Sequence, residues 1–126
     1  MTPKDYTEVL SLMADYFKGL YHADSSVLRE VFHPKLAYVC ATDGDELYLD
    51  LETYMARIDQ RVSPSVKGDA RNDRIQSIAF AGQRLAHVKV RMTLMGRDYA
   101  DELTLVRDNN AWRIVTKVFS YVPAEA

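Results

Sequence analysis

The most constraining feature of the sequence is the alternation of apolar and polar residues in its second half. Between Arg84 and Met95 every second residue is apolar, and polar side chains occupy most positions between them. Successive side chains of a β-strand point to opposite faces, so this period of two predicts a strand with one buried and one wetter face. Segments 74–81, 98–107 and 111–122 are also predicted to be strands, because turn residues separate them. We therefore expect four long strands joined as a meander.

The first half of the chain has helical spacing instead. From about Asp5 to Tyr21, apolar residues recur at steps of three and four, which places them on one face of a helix. In chain order, the sequence predicts helix 5–21, a short helix that Asp24 or Ser25 caps and His33-Pro34 ends, a hairpin of strands 36–41 and 46–49, and helix 51–62. Segment 63–68 is predicted to be a loop.

Three helices ahead of a meander indicate a segregated α+β domain, in which the helices cover the concave side of a strongly twisted sheet. The chain has 126 residues, close to the commonest size of a single domain. It contains no internal repeat and no linker rich in proline, glycine or serine. We expect residues 1–126 to form one domain.

Composition argues against several classes of function. The formal net charge of −2 gives no support for a nucleic-acid partner, and no apolar run approaches the length of a membrane span. Cys40 is the single cysteine, so no internal disulfide can form, which fits a reducing compartment. Charged residues close to the first methionine are unlike a secretory signal, and cytoplasmic localisation is expected. No metal, phosphate or dinucleotide motif is present, so we expect no cofactor and no metal.

Several segments carry a resemblance to a known superfamily: residues 16–20, residues 28–34, and the pair 99–105 and 112–119. With the order of elements, they resemble the nuclear-transport-factor-2-like superfamily. Within it the chain is most similar to the family labelled putative lumazine-binding, a relative of the SnoaL-like polyketide cyclases. The resemblance implies a cone-shaped, curved antiparallel sheet wrapped around helices, and a homodimer formed through the outer side of the sheet. Because this superfold hosts enzymes, binding modules and transport adaptors, it does not assign a function by itself.

Asp101 is the most informative polar residue. It lies in phase with Tyr99, Leu103 and Leu105, on the apolar side of its strand. A carboxyl group there is costly unless it is paired, hydrogen-bonded or protonated. Two interpretations stay open: a pocket carboxyl that acts as acid, base or hydrogen-bond donor, and a structural partner, for example of Lys117.

Tyr16 lies on the inner face of the first predicted helix, where its ring can be buried and its hydroxyl can reach a cavity. In the related ketosteroid isomerases, a helix tyrosine and an aspartic acid near the start of the penultimate strand donate hydrogen bonds to an oxyanion. The resemblance implies these catalytic roles for Tyr16 and Asp101. The alternative is a core tyrosine whose hydroxyl meets a backbone carbonyl.

Cys40 is the main departure from the isomerase pattern, because it occupies the nearest match to their proton-abstracting aspartate. A neutral thiol cannot replace that carboxylate as a base at neutral pH, so steroid isomerisation is not expected. A nucleophilic Cys40 would need a base or a cationic neighbour, and the sequence indicates neither. A buried, inert cysteine is the preferred interpretation.

Aromatic and methionine side chains are predicted to line the cone, where they would suit a flat organic ligand. The nominated ligand-binding residues are Tyr38, Tyr54, Met92, Tyr99, Trp112 and Cys40. Val118 is expected inside with them, although the same side chains would also suit a filled core.

The opposite face of the sheet is expected to carry mixed charge. Unbroken alternation places Lys89, Arg91, Arg113 and Lys117 there, together with Glu102. One β-bulge in the last strand would exchange Lys117 and Val118 between the faces.

Two functions follow as hypotheses. The first is a pocket protein that binds a small aromatic or polyketide-like molecule, or acts on it as an isomerase, cyclase or dehydratase without a cofactor, through Asp101 and Tyr16. The second is a non-catalytic dimeric binding or scaffolding domain with a packed cone. A void at Asp101 would favour the first hypothesis and a closed core the second.

Overall fold

Thr2 and Asp5 start the first helix with a capping box. The Thr2 hydroxyl accepts a hydrogen bond from the Asp5 amide, and the Asp5 carboxylate accepts one from the Thr2 amide. In this computed structural model, which describes residues 2–125, the elements run in the order α1 Pro3–Tyr21, α2 Ser25–Val31, β1 Phe32–Thr42, β2 Asp45–Leu49, α3 Leu51–Asp59, α4 Pro64–Lys67, β3 Arg74–Phe80, β4 Leu85–Leu94, β5 Arg97–Asp108 and β6 Ala111–Pro123.

The strands form one sheet in the order β2-β1-β6-β5-β4-β3. The predicted meander from β3 to β6 and the β1–β2 hairpin are confirmed. Neighbouring strands are antiparallel except β1 and β6, which run parallel. This pairing joins the hairpin to the meander and gives the predicted α+β architecture of helices against a curved sheet.

A bulge in β6 changes which of its side chains point inward. Thr104 of β5 pairs with Thr116, but Leu105 pairs with Ile114, so Val115 is an extra residue in β6. Before the bulge, Trp112 and Ile114 are buried; after it, Lys117 and Phe119 are buried. The expectation that Lys117 lies outside and Val118 inside is therefore wrong, and Val118 is exposed.

The helices cover the inner face of the sheet and pack closely on one another. Gly19 of α1 allows this approach, because a Cβ atom there would lie 2.6 Å from a methyl carbon of Leu28 in α2. The core consists of the inner face of α1, the buried residues of α2 and α3, and the inward side chains of β1, β4, β5 and β6.

The elements differ from the sequence predictions by more than two residues at three places. β1 begins directly after α2 at Phe32, because His33 and Pro34 continue as extended backbone. α3 ends at Asp59 rather than at Val62, which is exposed. The predicted loop 63–68 contains the short helix α4, which Ser63 caps. No helix among residues 2–125 is both long and apolar enough to cross a membrane.

Candidate functional site

Asp101 and Tyr16 are joined by a short buried hydrogen bond. Asp101 lies in β5 with 2% of its surface exposed, and the fully buried Tyr16 comes from the inner face of α1. The Tyr16 hydroxyl donates to Asp101 Oδ2 at 2.5 Å. Tyr16 therefore aims its proton at the carboxylate, so the two side chains act in series and do not form two parallel donors toward a ligand.

Lys117 is the third member of this cluster. It is 6% exposed, and its Nζ lies 4.0 Å from Asp101 Oδ2 and donates a hydrogen bond to the Tyr54 hydroxyl at 3.1 Å. The ammonium group also lies 5.0–5.8 Å from the ring centroids of four aromatic residues, namely Tyr16, Tyr38, Tyr54 and Phe119. Such an aromatic surround, together with a nearby carboxylate, stabilises a buried cation.

Burial keeps the surrounding phenols protonated at neutral pH. Loss of solvent raises the pKa of Tyr16 well above its usual value, and the adjacent Asp101 charge raises it further. Burial also raises the pKa of Tyr54 and raises the pKa of Tyr38 to about 12. The Tyr16 hydroxyl is consequently a stable hydrogen-bond donor to the carboxylate.

The second oxygen of Asp101 has no partner. Oδ1 is fully buried and makes no hydrogen bond with any residue in the range 2–125. A buried acceptor without a donor lowers the stability of a folded protein by about 1–3 kcal/mol, so such an atom calls for an explanation. Asp101 borders a cavity of about 30 Å³. That volume accommodates one water molecule or one polar group of a larger guest.

This inner cavity is bordered by both polar and apolar side chains. The lining residues are Leu20, Tyr38, Tyr54, Arg61, Met92, Leu94, Met95, Tyr99, Asp101, Lys117 and Phe119. Asp101, Lys117 and Tyr54 can supply the two to four polar partners that a trapped water or guest group needs.

A larger cavity of about 310 Å³ adjoins the inner one at the mouth of the cone. The two share five lining residues, which are Tyr38, Arg61, Met95, Tyr99 and Phe119. The outer cavity is also lined by Cys40, Asp45, Leu47, Arg57, Arg97 and Tyr121. Together they form a hollow of small-ligand size that narrows toward the buried carboxylate.

The structure brings most of the nominated residues to this hollow. Tyr38, Tyr54, Met92 and Tyr99 border the inner cavity, and Cys40 borders the outer one. Tyr16 borders neither cavity; its hydroxyl donates to Asp101 and its ring lies beside the Lys117 ammonium, and both of these groups line the hollow.

Trp112 is not part of the hollow. It lies before the bulge in β6, where its Nε1 donates to Asp5 Oδ1 at 3.2 Å and its ring packs edge-on against Phe80. Its expected place in the cone lining is therefore wrong, and we assign it to the packing between α1 and the sheet.

Cys40 has the surroundings of a structural thiol. It is buried, and its Sγ donates a long hydrogen bond of 3.6 Å to Thr42 Oγ1. The carboxylate base of the isomerase pattern is thus absent from this wall, and Asp101 is the buried carboxylate that borders the hollow.

The sequence indicates the cationic residues of the hollow only in part. It offers Lys117 as a partner of Asp101, and the two groups lie 4.0 Å apart, but unbroken alternation puts this lysine on the wrong face. Nothing in the sequence pattern marks the three arginines at the mouth. Arg57 and Arg61 are four residues apart near the end of α3, and Arg97 follows the β4–β5 turn, so only the tertiary fold brings them together.

Comparisons with known proteins agree with this architecture. The profile of the family described as "Putative lumazine-binding" matches residues 4–120. A crystallised NTF2-like protein of unknown function from Silicibacter pomeroyi superposes with a TM-score of 0.84 at 22% identity, covering 97% of this chain and all of that one. A second NTF2-like protein of unknown function, from Shewanella baltica, superposes with a TM-score of 0.85 at 20% identity. The match covers 98% of this chain and 99% of that one.

A third solved structure has higher sequence identity. It is a protein with unknown function from the DUF3225 family of Pectobacterium atrosepticum, with a TM-score of 0.75 at 26% identity and coverage of 96% and 93%. Comparison with curated proteins gave no match.

Proposed function

The chain belongs to the putative lumazine-binding family of nuclear-transport-factor-2-like proteins, and we propose that it binds a small planar organic molecule in the hollow that ends at Asp101. The single observation that carries this proposal is the unpartnered Oδ1 of a buried carboxylate beside a cavity. A guest that donates a hydrogen bond to this oxygen would remove the cost of leaving it unsatisfied.

The outer cavity supports the same proposal through its aromatic wall. Ring centroids lie 5.1 Å apart for Tyr38 and Phe119, 5.8 Å for Tyr99 and Phe119, and 5.7 Å for Tyr99 and Tyr121. A continuous aromatic surface suits a flat conjugated ligand, since stacking and edge contacts add to the gain from apolar burial.

We propose further that the site performs acid–base chemistry without a cofactor, of the kind used by isomerases, cyclases and dehydratases. Asp101 Oδ1 would accept a proton from the substrate, and the Lys117 ammonium would stabilise negative charge that develops on a substrate oxygen. Tyr16 would be a positioning residue, because its hydroxyl fixes Asp101 through Oδ2 and leaves Oδ1 available.

Methyl NMR of methionine-labelled protein tests binding. Met92 and Met95 border the inner cavity, whereas Met13 and Met55 are buried outside its lining and serve as internal controls. β-Tetralone, a neutral bicyclic ketone, should shift the methyl signals of Met92 and Met95 and leave those of Met13 and Met55 unchanged. If no methyl group responds up to the solubility limit of the ketone, the binding proposal is wrong.

The same ketone tests catalysis through exchange of its α-protons in heavy water. The protein should accelerate exchange, Asp101→Asn should abolish the acceleration, and Lys67→Gln at an exposed position of helix α4 should leave it unchanged. Binding without accelerated exchange would contradict the catalytic proposal and leave a non-catalytic binding domain.

We also propose that two copies pair through the outer face of the sheet. This face exposes Lys89, Arg91 and Glu102, and the bulge adds Val118 to it. Light scattering should give twice the mass of the chain, and Val118→Lys should shift the equilibrium toward monomer. A monomer at all accessible concentrations would refute the pairing.

A further inference from the structure

The mouth of the hollow carries a concentration of positive charge. Arg57, Arg61 and Arg97 line the outer cavity, and Asp45 is the one acidic side chain among its lining residues. The lining therefore carries a formal charge of +2, from three arginines and one aspartate, in a chain whose formal net charge is −2. The local charge at the mouth is thus opposite in sign to the net charge of the chain.

The three guanidinium groups are not neutralised by the protein. Among residues 2–125, no carboxylate oxygen forms a salt bridge with any of them. Asp45 accepts a hydrogen bond from the Tyr121 hydroxyl, which occupies one of its oxygens. The positive charge at the mouth is therefore available to a guest.

Aromatic contacts hold one of these arginines in place. The Arg97 guanidinium lies 4.1 Å from the ring centroid of Tyr121, a cation–π distance. Arg61 is half-buried and borders both cavities, so it lies between the mouth and the narrow end. A planar guanidinium fixed beside an aromatic wall matches the two oxygens of a carboxylate.

We propose that the guest is a planar aromatic carboxylate. This inference rests on the proposed binding function and adds the charge class of the ligand. The carboxylate faces Arg57, Arg61 and Arg97 at the mouth, the conjugated ring system lies against Tyr99 and Phe119, and the opposite edge points toward Asp101. Such an orientation keeps the negative group of the ligand away from the buried carboxylate of the protein.

A pair of matched ligands tests this charge preference. Naphthalene carboxylate and naphthalene carboxamide have nearly the same shape and differ in charge, and the Met92 methyl shift gives the dissociation constant of each. We expect the carboxylate to bind about tenfold more tightly, as charge-assisted hydrogen bonds to partly solvated arginines would give. Added salt should weaken the binding of the carboxylate and leave the affinity of the carboxamide unchanged.

Arginine variants test whether the preference for the carboxylate comes from the mouth of the hollow. Arg57→Gln combined with Arg61→Gln should reduce the preference to about threefold or less, because two of the three guanidinium groups are gone. Lys67→Gln removes one positive charge from an exposed position of helix α4, away from both cavities, and should keep the full preference. The Met13 and Met55 signals report whether each variant is folded.

The outcomes separate the inference from the proposed function. Equal affinity of the two ligands, with Met92 and Met95 responding to both, would overturn the anionic ligand while the binding function stands. A preference that survives the arginine double variant would also overturn the inference. If neither ligand shifts Met92 or Met95, the proposed function and this inference fail together.

Discussion

Removing one charge of the Asp101–Lys117 pair should destabilise the protein more than removing both. Asp101→Asn keeps the size of the side chain and an acceptor for the Tyr16 hydroxyl, and Lys117→Met keeps most of the length of the stem. Each substitution therefore removes a charge with little change in volume. Each single variant leaves the other charge buried without its partner.

The magnitude follows from the geometry. Two unit charges 4.0 Å apart attract each other by about 4 kcal/mol at an effective dielectric constant of about 20. Breaking a buried pair by removing one partner costs about 3–5 kcal/mol, whereas replacing both charged groups is often close to neutral. We expect each single variant to lose about 3 kcal/mol and the coupling energy to be about 4 kcal/mol, so the double variant should lose only about 2 kcal/mol.

Urea unfolding of the wild type, both single variants and the double variant gives the four free energies that this cycle needs. The double variant should be more stable than at least one single variant, although it carries one more substitution. Additive losses, with a coupling energy near zero, would show that the two groups do not interact and would refute the proposed electrostatics of the site.

Three further predictions concern other groups. Tyr16→Phe removes the donor to the buried carboxylate and should cost about 1.5–3 kcal/mol in urea unfolding, whereas the exposed Tyr6→Phe should cost less than about 0.5 kcal/mol; equal losses would contradict the assigned hydrogen bond. The hydrogen bond from the N-cap hydroxyl lowers the pKa of Asp5, so the stability that Asp5 contributes is present above its unfolded pKa and is lost as the pH falls through its folded pKa. The free energy of unfolding should therefore drop below about pH 4, and Asp5→Asn should flatten this dependence. Burial raises the pKa of Tyr16 and Tyr54 and raises that of Tyr38 to about 12, so the unfolded chain ionises first and stability should fall above about pH 10. Phenolate absorbance should show these three tyrosines protonated until the chain unfolds, and their titration in folded protein near pH 10 would contradict their burial.

The place of Asp101 could be predicted from sequence because β5 keeps a strict period of two around it. Leu103 and Leu105 share its phase and are buried, so the inward direction of the carboxyl group followed from local pattern alone. What the carboxyl group contacts depended on distant chain segments: Tyr16 is 85 residues away. The resemblance to isomerases paired the two residues but implied parallel donors, whereas the hydroxyl donates to the carboxylate.

The error at Lys117 has a physical cause in the bulge at Val115. A single extra residue reverses the alternation, and no residue in that segment marks the position as a bulge. A lysine is also an unexpected core residue until the surrounding rings and the carboxylate are known. The parallel pairing of β1 with β6 could not be predicted from local pattern either, because the two strands are far apart in the sequence.

Trp112 shows a further limit of periodicity. Its phase correctly predicts burial, but phase contains no information about depth along the cone. The tryptophan lies against Asp5 and Phe80, while the hollow opens near Tyr99 and Phe119.

A high-resolution crystal structure of protein purified directly from cell lysate would show what lies beside Asp101 Oδ1. We expect electron density for a water molecule or a guest atom within hydrogen-bond distance of this oxygen, continuous with the hollow that Tyr38, Tyr99 and Phe119 line. A structure in which another side chain caps Oδ1 and fills the narrow end of the cone would contradict this expectation.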